Sequence, residues 1–112
     1  MDELLQTCLI ESGLKAKEAT MLCWFFDNQK GNGRDIERET GLRQPDVSIT
    51  TNTLRLKGWL KYKEQKKTGK GRPIKNYSLA VPREKILSDL ITDVREKADA
   101  KLVTINALEK LK

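Results

Sequence analysis

The chain has 112 residues, of which 38% are hydrophobic and 34% charged, and its formal net charge is +6. This length suits one small domain with a modest core beneath a charged surface. The sequence contains no histidine, and its two cysteines lack metal-ligand spacing, which excludes a zinc site and a histidine-based catalytic triad. It shows neither a basic signal-peptide region nor an apolar run near the ~20 residues that cross a bilayer. We therefore expect a soluble cytoplasmic protein without enzymatic activity, cofactor or membrane partner.

Apolar residues at helical spacing predict two helices, over residues 2–12 and 15–27, the first of which ends at Gly13. The second has the wider apolar face, so we expect it to form the centre of the core. Each helix carries one cysteine in its apolar pattern, Cys8 in the first and Cys23 in the second. Both are interpreted as buried thiols in a reducing cytosol, with a redox-sensing pair as the alternative.

The next segment predicts a turn followed by two more helices. Residues 28–33 are rich in Asn and Gly, which is typical of a turn. A short helix over 34–40 ends at Gly41, and Pro45 suits the first turn of a further helix over 44–57. The residues of that helix expected to face inward are Val47, Thr50, Thr51 and Leu54. Those expected to face outward are Ser48, Ile49, Asn52 and Thr53.

Alternating residues then predict a β-hairpin. Residues 60–63 and 74–79 alternate as half-buried strands do, and the latter strand offers Ile74, Tyr77 and Leu79 as buried or edge positions. The basic, Gly-containing loop over 66–73 joins the two strands. Between Lys61 and Lys75 there are seven basic residues and one acid, so this segment alone accounts for the net charge of +6.

A long helix is predicted over residues 83–111, after Pro82. Its apolar residues recur at alternating spacings of four and three, which is typical of a coiled-coil seam. The predicted dimer interface consists of Leu87, Ile91, Val94, Ala98, Ile105 and Leu108. Three more residues widen the apolar stripe: Leu90, Leu102 and Leu111. Packing of this helix back onto its own domain is the alternative.

Residues 34–79 resemble the winged helix-turn-helix of the MarR, TrmB and ArsR-like transcription regulators of archaea and bacteria. The matching residues are Ile36, Gly41-Leu42, residues 44–48, Leu54, residues 57–60, residues 69–73 and Tyr77. Glu37 and Thr40 depart from the pattern, which usually has a small residue and a leucine at these positions. The resemblance implies a mostly α fold with a small β-hairpin (α+β), comprising a DNA-binding domain at 1–81 and a dimerisation helix at 82–112.

The resemblance also implies that the helix at 44–57 enters the major groove of duplex DNA. The amides of Gln44 and Asn52 suit adenine, and the carboxylate of Asp46 suits cytosine. The side chain of Ile49 suits a thymine methyl group. The remaining candidates offer hydroxyl groups to bases or phosphates and guanidinium groups to phosphates: Ser48, Thr53, Arg43 and Arg55.

The basic loop resembles the wing of these regulators. Gly69 and Gly71 allow a close approach of the backbone, and Arg72 is expected to enter a narrow minor groove, where the negative potential is enhanced. The expected phosphate contacts are Lys66, Lys67, Lys70 and Lys75.

The function expected from these features is sequence-specific DNA binding, most simply by a repressor that occupies a pseudo-palindromic operator as a homodimer. Two alternatives stay open: a winged-helix module that binds other proteins in a larger complex, and a general, weakly selective nucleic-acid binder. No effector ligand is identified from the sequence. Trp24, Phe25 and Trp59 are candidates to line a cavity, although we expect them to pack in the core.

Overall fold

A computed structural model of the chain describes residues 3–65 and 73–112. The elements, in chain order, are α1 (Glu3–Glu11), α2 (Ala16–Asn28), β1 (Lys30–Asn32), α3 (Gly33–Thr40), α4 (Gln44–Leu56), β2 (Leu60–Gln65), β3 (Ile74–Leu79) and α5 (Arg83–Leu111). The strands form one antiparallel sheet in the order β1-β3-β2. The predicted α+β winged helix-turn-helix followed by a long C-terminal helix is confirmed.

The helix α2 lies at the centre of the core, as its apolar pattern predicts. Phe25, Leu22 and Met21 are fully buried, and each such side chain stabilises the fold by about 1.5–3 kcal/mol. Residues from the other elements complete the core: Leu9, Ile36, Val47, Leu54, Trp59, Leu60, Ile86 and Leu90. Trp24 is also buried in this core, so Trp24, Phe25 and Trp59 all pack in the core as expected.

The two cysteines lie in different environments. Cys23 is buried in α2, as predicted, but Cys8 is exposed, so the prediction of two buried thiols was wrong for Cys8. The reason is that α1 buries only Leu9 fully. Cys8 lies instead in an open groove between α1 and α5.

The turn predicted over residues 28–33 is also wrong in part, because β1 forms there and pairs with β3. Gly31 lies opposite Tyr77 in this pairing. A Cβ atom at Gly31 would lie only 2.3 Å from Cη2 of Trp24, so glycine is what allows the strand to run across the indole ring. The turn itself is confined to Gln29, which has a φ of 66°. This is an uncommon conformation for a residue other than glycine.

The helix-turn-helix is defined by local hydrogen bonds. Asn32 and Asp35 form a capping box at the start of α3, each side chain accepting from the backbone N–H of the other. Gly41 ends α3 in the left-handed conformation, with a φ of 78°. Thr40, which departs from the family pattern, accepts a hydrogen bond from the Leu42 N–H and donates one to the Ile36 carbonyl. The departure therefore supplies polar contacts to the turn.

The helix α4 buries the four residues predicted to face inward: Val47, Thr50, Thr51 and Leu54. Its buried hydroxyl at Thr51 donates to the carbonyl of Val47 at 2.7 Å. The chain then turns at Gly58, with a φ of 84°, and Trp59 and Leu60 enter the core. The inner face of α4 thus packs on the domain and leaves the other face outward.

The helix α5 begins and ends where the sequence predicts, but only its first part packs on the domain. Ile86 and Leu90 are buried, whereas every residue from 91 to 112 is exposed. The helix therefore projects from the domain, and the longest dimension of the chain is 71 Å against 25 and 24 Å for the other two. In the described part of the chain, no helix has the length and apolar character needed to span a membrane.

Candidate nucleic-acid interface

The outward face of α4 presents side chains that suit DNA recognition. Ser48, Ile49 and Asn52 are exposed, and Ile49 retains 67% of its accessible surface although it is apolar. At the N-terminal end, Arg43 is the N-cap residue and Gln44 opens the helix, and both are exposed. The structure therefore places the predicted base-contacting residues on one accessible surface of the domain.

Two of the predicted contacts, Asp46 and Thr53, bond groups of the protein outside the predicted set or on the backbone. Asp46 forms a salt bridge with Lys17 of α2, with 2.8 Å between Oδ1 of Asp46 and Nζ of Lys17. The hydroxyl of Thr53 donates to the carbonyl of Ile49 at 3.0 Å, so its proton is not free to bond a phosphate. Lys17, which the sequence analysis missed, thereby lies beside the first turn of α4.

A cluster of four side chains joins α4 to the hairpin. Arg55 donates from Nη2 to Oδ1 of Asn52 at 2.7 Å, and its Cζ lies 5.8 Å from the ring centroid of Tyr62 on β2. Nζ of Lys75 on β3 lies 4.8 Å from the same centroid. Three of the predicted DNA contacts are thus connected through Tyr62, which the sequence analysis did not single out.

The pairing of β2 with β3 divides the basic segment between two faces of the sheet. Tyr62 lies opposite Tyr77, and Lys75 lies opposite Glu64, all on the face that also carries buried Leu60. Since successive residues of a strand point to opposite faces, Lys61 and Lys63 belong to the other face.

On that outer face, Lys61 and Lys63 lie opposite Ser78 and Asn76, and Lys30 of β1 also lies opposite Ser78. All three lysines are exposed. The predicted wing residues Lys66, Lys67, Lys70 and Arg72 lie outside the described residues, so their contacts stay predictions. Of the five wing residues predicted to contact DNA, the structure describes Lys75, and it lies on the same face of the sheet as Tyr62.

A cleft of about 650 Å³ separates the N-terminal part of α4 from the hairpin. Gln44 and Ser48 line it from α4, and Lys75 and Tyr77 line it from β3. Arg34, Glu37 and Glu64 line it as well, so its wall combines polar groups suited to bases with charged groups of both signs. In the described part of the chain, no cluster of three or more Cys, Asp or Glu side chains is arranged to hold a metal ion.

The apolar stripe of α5 lies along a second surface, beside α1. Together with α1 it forms an apolar groove of about 550 Å³, lined by Leu5, Cys8, Leu9, Leu87, Ile91, Val94 and Ala98 among others. Leu87 is half-buried against the core, and the other five residues predicted for the dimer interface are exposed. Beyond the groove, Ile105 and Leu108 continue the stripe with 49% and 62% of their surfaces exposed.

No protein-family model and no curated protein matches the sequence, but two solved structures have a similar fold. A possible transcriptional regulator from Methanosarcina mazei Go1 superimposes with a TM-score of 0.70 at 15% sequence identity, over 86% of this chain and 80% of that protein. NadR in complex with 4-hydroxyphenylacetate superimposes with a TM-score of 0.57, also at 15% identity, over 96% of this chain and 81% of that one. These similarities show that the chain shares its fold with these two proteins.

Proposed function

We propose that this protein is a transcription regulator of the MarR, TrmB and ArsR-like type that binds duplex DNA with α4 in the major groove. The observation that carries the proposal is the accessible face of α4, where exposed Ser48, Ile49 and Asn52 lie beside the basic hairpin. Ile49 shares this outward side of α4 with Leu56, and both are exposed apolar residues. The side chain of Ile49 suits contact with a thymine methyl group. The shared fold supports the same function.

Base reading is assigned to four residues of α4, namely Gln44, Ser48, Ile49 and Asn52. Oδ1 of Asp46 forms the salt bridge with Lys17, so we propose that Asp46 orients Lys17 at the edge of the interface and does not read cytosine. Lys17 then joins Arg43, Arg55 and Lys75 as a phosphate contact. Phosphate contacts of this kind give register and affinity, whereas contacts to base edges give specificity.

We further propose that the protein acts as a homodimer. No residue of α5 from 91 onward is buried against the rest of the described chain. Most helical stability in proteins comes from packing of an apolar face. A second copy that covers the stripe and the groove beside α1 would stabilise this helix and bury its apolar residues. Two copies related by a two-fold axis would read a pseudo-palindromic operator, and occupancy of that operator would repress transcription.

The proposal is tested by selecting bound duplexes from a random pool with the full-length protein. We expect enrichment of an inverted repeat whose half-sites lie about 10 base pairs, or a multiple of that, apart. A bound pool without any enriched sequence would indicate a general nucleic-acid binder. Failure to retain any duplex at low salt would contradict the proposal and favour a protein-interaction module. A reporter gene behind the selected site that rises in the presence of the protein would contradict repression.

A further inference from the structure

The junction between α4 and the hairpin gathers two cations on one aromatic ring. Arg55 and Lys75 come from different elements, and both lie within the roughly 6 Å at which a ring face attracts a cation. Tyr62, which provides the ring, retains 38% of its accessible surface. The ring therefore lies at the surface, where bound DNA can reach the cations that it holds.

These two cations have no salt-bridge partner in the part of the chain that the structure describes, although Glu64 lies opposite Lys75 in the strand pairing. Their mutual repulsion is offset in part by the ring and, for Arg55, by the carbonyl oxygen of Asn52. A site that concentrates positive charge in this way favours a bound anion.

The ring of Tyr62 has two kinds of neighbour, a second aromatic ring and two cations. It packs against Tyr77 across the strand pair, with 6.0 Å between ring centroids and a tilt of 55°, and an aromatic pair of this kind stabilises a sheet. Only an aromatic ring adds an electrostatic attraction that orients two long, flexible cationic side chains. Holding these side chains in place before DNA arrives lowers the conformational entropy lost on binding.

We propose that Arg55 and Lys75, held on the ring of Tyr62, form one composite site for the phosphodiester backbone of DNA. Tyr62 is a positioning residue of this site, which is named the Tyr62 site below. The inference rests on the proposed function and deepens it, because the site makes α4 and the hairpin bind the backbone as one unit.

The Tyr62 site also affects base reading. Arg55 engages Oδ1 of Asn52, which leaves Nδ2 of that amide as the outward donor. Because the ring restrains Arg55, it restrains the orientation of this amide too. Asn52 is thereby set to donate to an acceptor on a base, such as N7 of a purine.

A double-mutant cycle on DNA affinity tests this site, using the full-length protein and a duplex selected as above. Lys75→Gln is measured in the Tyr62 background and in the Tyr62→Leu background, by fluorescence anisotropy at about 50 mM salt. We expect Lys75→Gln to weaken binding by roughly two- to fivefold more when the tyrosine is present, which is the size of a surface cation–π interaction. Arg55→Gln is expected to behave in the same way.

The controls separate positioning from folding. Tyr62→Phe keeps the ring, so Lys75→Gln should have its full effect in this background. If Tyr62→Leu does not fold, Tyr62→Val replaces it, because valine has a strong strand preference. Lys63→Gln, on the outer face, should be additive with Tyr62→Leu. Equal losses from Lys75→Gln in both backgrounds, while the wild type still binds its duplex, would overturn the Tyr62 site alone. A wild type that binds no duplex would overturn the proposed function and the site with it.

Discussion

The indole N–H of Trp59 donates a hydrogen bond to Oδ2 of Asp89 across 3.1 Å. Trp59 follows the end of α4, and Asp89 lies in the first part of α5, so this bond joins the candidate recognition helix to the helix that projects from the domain. Nζ of Lys85 bonds Oδ1 of the same carboxylate at 2.7 Å. The hydrogen bond from Lys85 and that from Trp59 together hold the pKa of Asp89 below its ordinary value of 3.8.

This lowered pKa makes the junction sensitive to acid. Because the folded carboxylate has the lower pKa, its contribution to the free energy of unfolding is present above pH 3.8 and is lost as the pH falls through the folded pKa. Asp89→Asn removes the titrating group and its charged contact with Lys85. We expect the wild type to be more stable than this variant near neutral pH, with a difference that narrows as the solution becomes acidic.

Chemical denaturation from about pH 6 to about pH 3 measures that difference. Asp93→Asn is the control, since Asp93 pairs with Lys97 on α5 without contacting Trp59. A stability difference for Asp89→Asn that stays constant through the acid range would contradict the assignment.

The contact between Gly31 and Trp24 predicts that adding one methyl group at Gly31 destabilises the fold. In Gly31→Ala the new methyl group would lie 2.3 Å from the indole ring, so the ring or the strand must move. We expect a loss of about 1–3 kcal/mol in the free energy of unfolding, as for other overpacked cores.

Gly33→Ala provides the matched control for that substitution. Among the described residues, a Cβ atom at Gly33 meets nothing within 4 Å, and this residue opens α3 without a positive φ. We expect this variant to be neutral or stabilised by up to about 1 kcal/mol. Urea denaturation measures the stabilities of the two alanine variants. Equal values would show that the indole ring moves without a loss in the free energy of unfolding.

The division of basic residues between two faces of the sheet predicts unequal effects on DNA binding. Lys75→Gln should weaken affinity and reduce the slope of log affinity against log salt by about 0.9, the value for one phosphate contact. Lys61→Gln and Lys63→Gln remove the same charge from the same hairpin but from the outer face. We expect clearly smaller changes in slope from these two. Identical slopes for the three variants would mean that net charge, and not the face of the sheet, governs binding.

The exposed stripe on α5 predicts a position-dependent effect on assembly. Ile105→Lys places a charge in the stripe, at a residue that is 49% exposed in the single chain, and should shift the protein from dimer to monomer. Val103→Lys introduces the same charge at a β-branched residue that is 67% exposed. Because Val103 lies two residues before Ile105, it is on nearly the opposite face of the helix. The Val103→Lys variant should therefore remain a dimer.

Sedimentation equilibrium over a range of protein concentrations distinguishes these variants. A wild type that is monomeric at all concentrations would contradict the proposed dimer. Equal dissociation of both variants would indicate that the dimer interface lies outside the predicted stripe.

Local patterns in the sequence were sufficient for most of the fold. The bounds of α5 and β3 follow from Pro82 and from the alternation over 74–79, and the inward residues of α4 follow from its period. By contrast, β1 has only three residues of ordinary turn composition. It becomes a strand through pairing with β3, which lies far along the chain. Neither periodicity nor propensity contains that information.

The same distinction between local and distant contacts applies to the candidate interface. The exposed face of α4 could be predicted, because a helix presents its residues at a fixed period. The Lys17 partner of Asp46 could not, since α2 and α4 meet only after folding. For Tyr62, one feature of the sequence was informative. Given the register of the hairpin, the alternation of β2 and β3 places Tyr62 on the same face as Lys75.

The most direct test of specific DNA recognition is a titration of the wild-type protein into a selected duplex and into a shuffled duplex of equal length and composition. Both are measured at about 50 and about 200 mM salt. We expect binding to the selected duplex to be at least about a thousandfold tighter, as for other specific DNA-binding proteins, and to weaken steeply with salt. Equal affinity for the two duplexes would contradict sequence-specific recognition by α4.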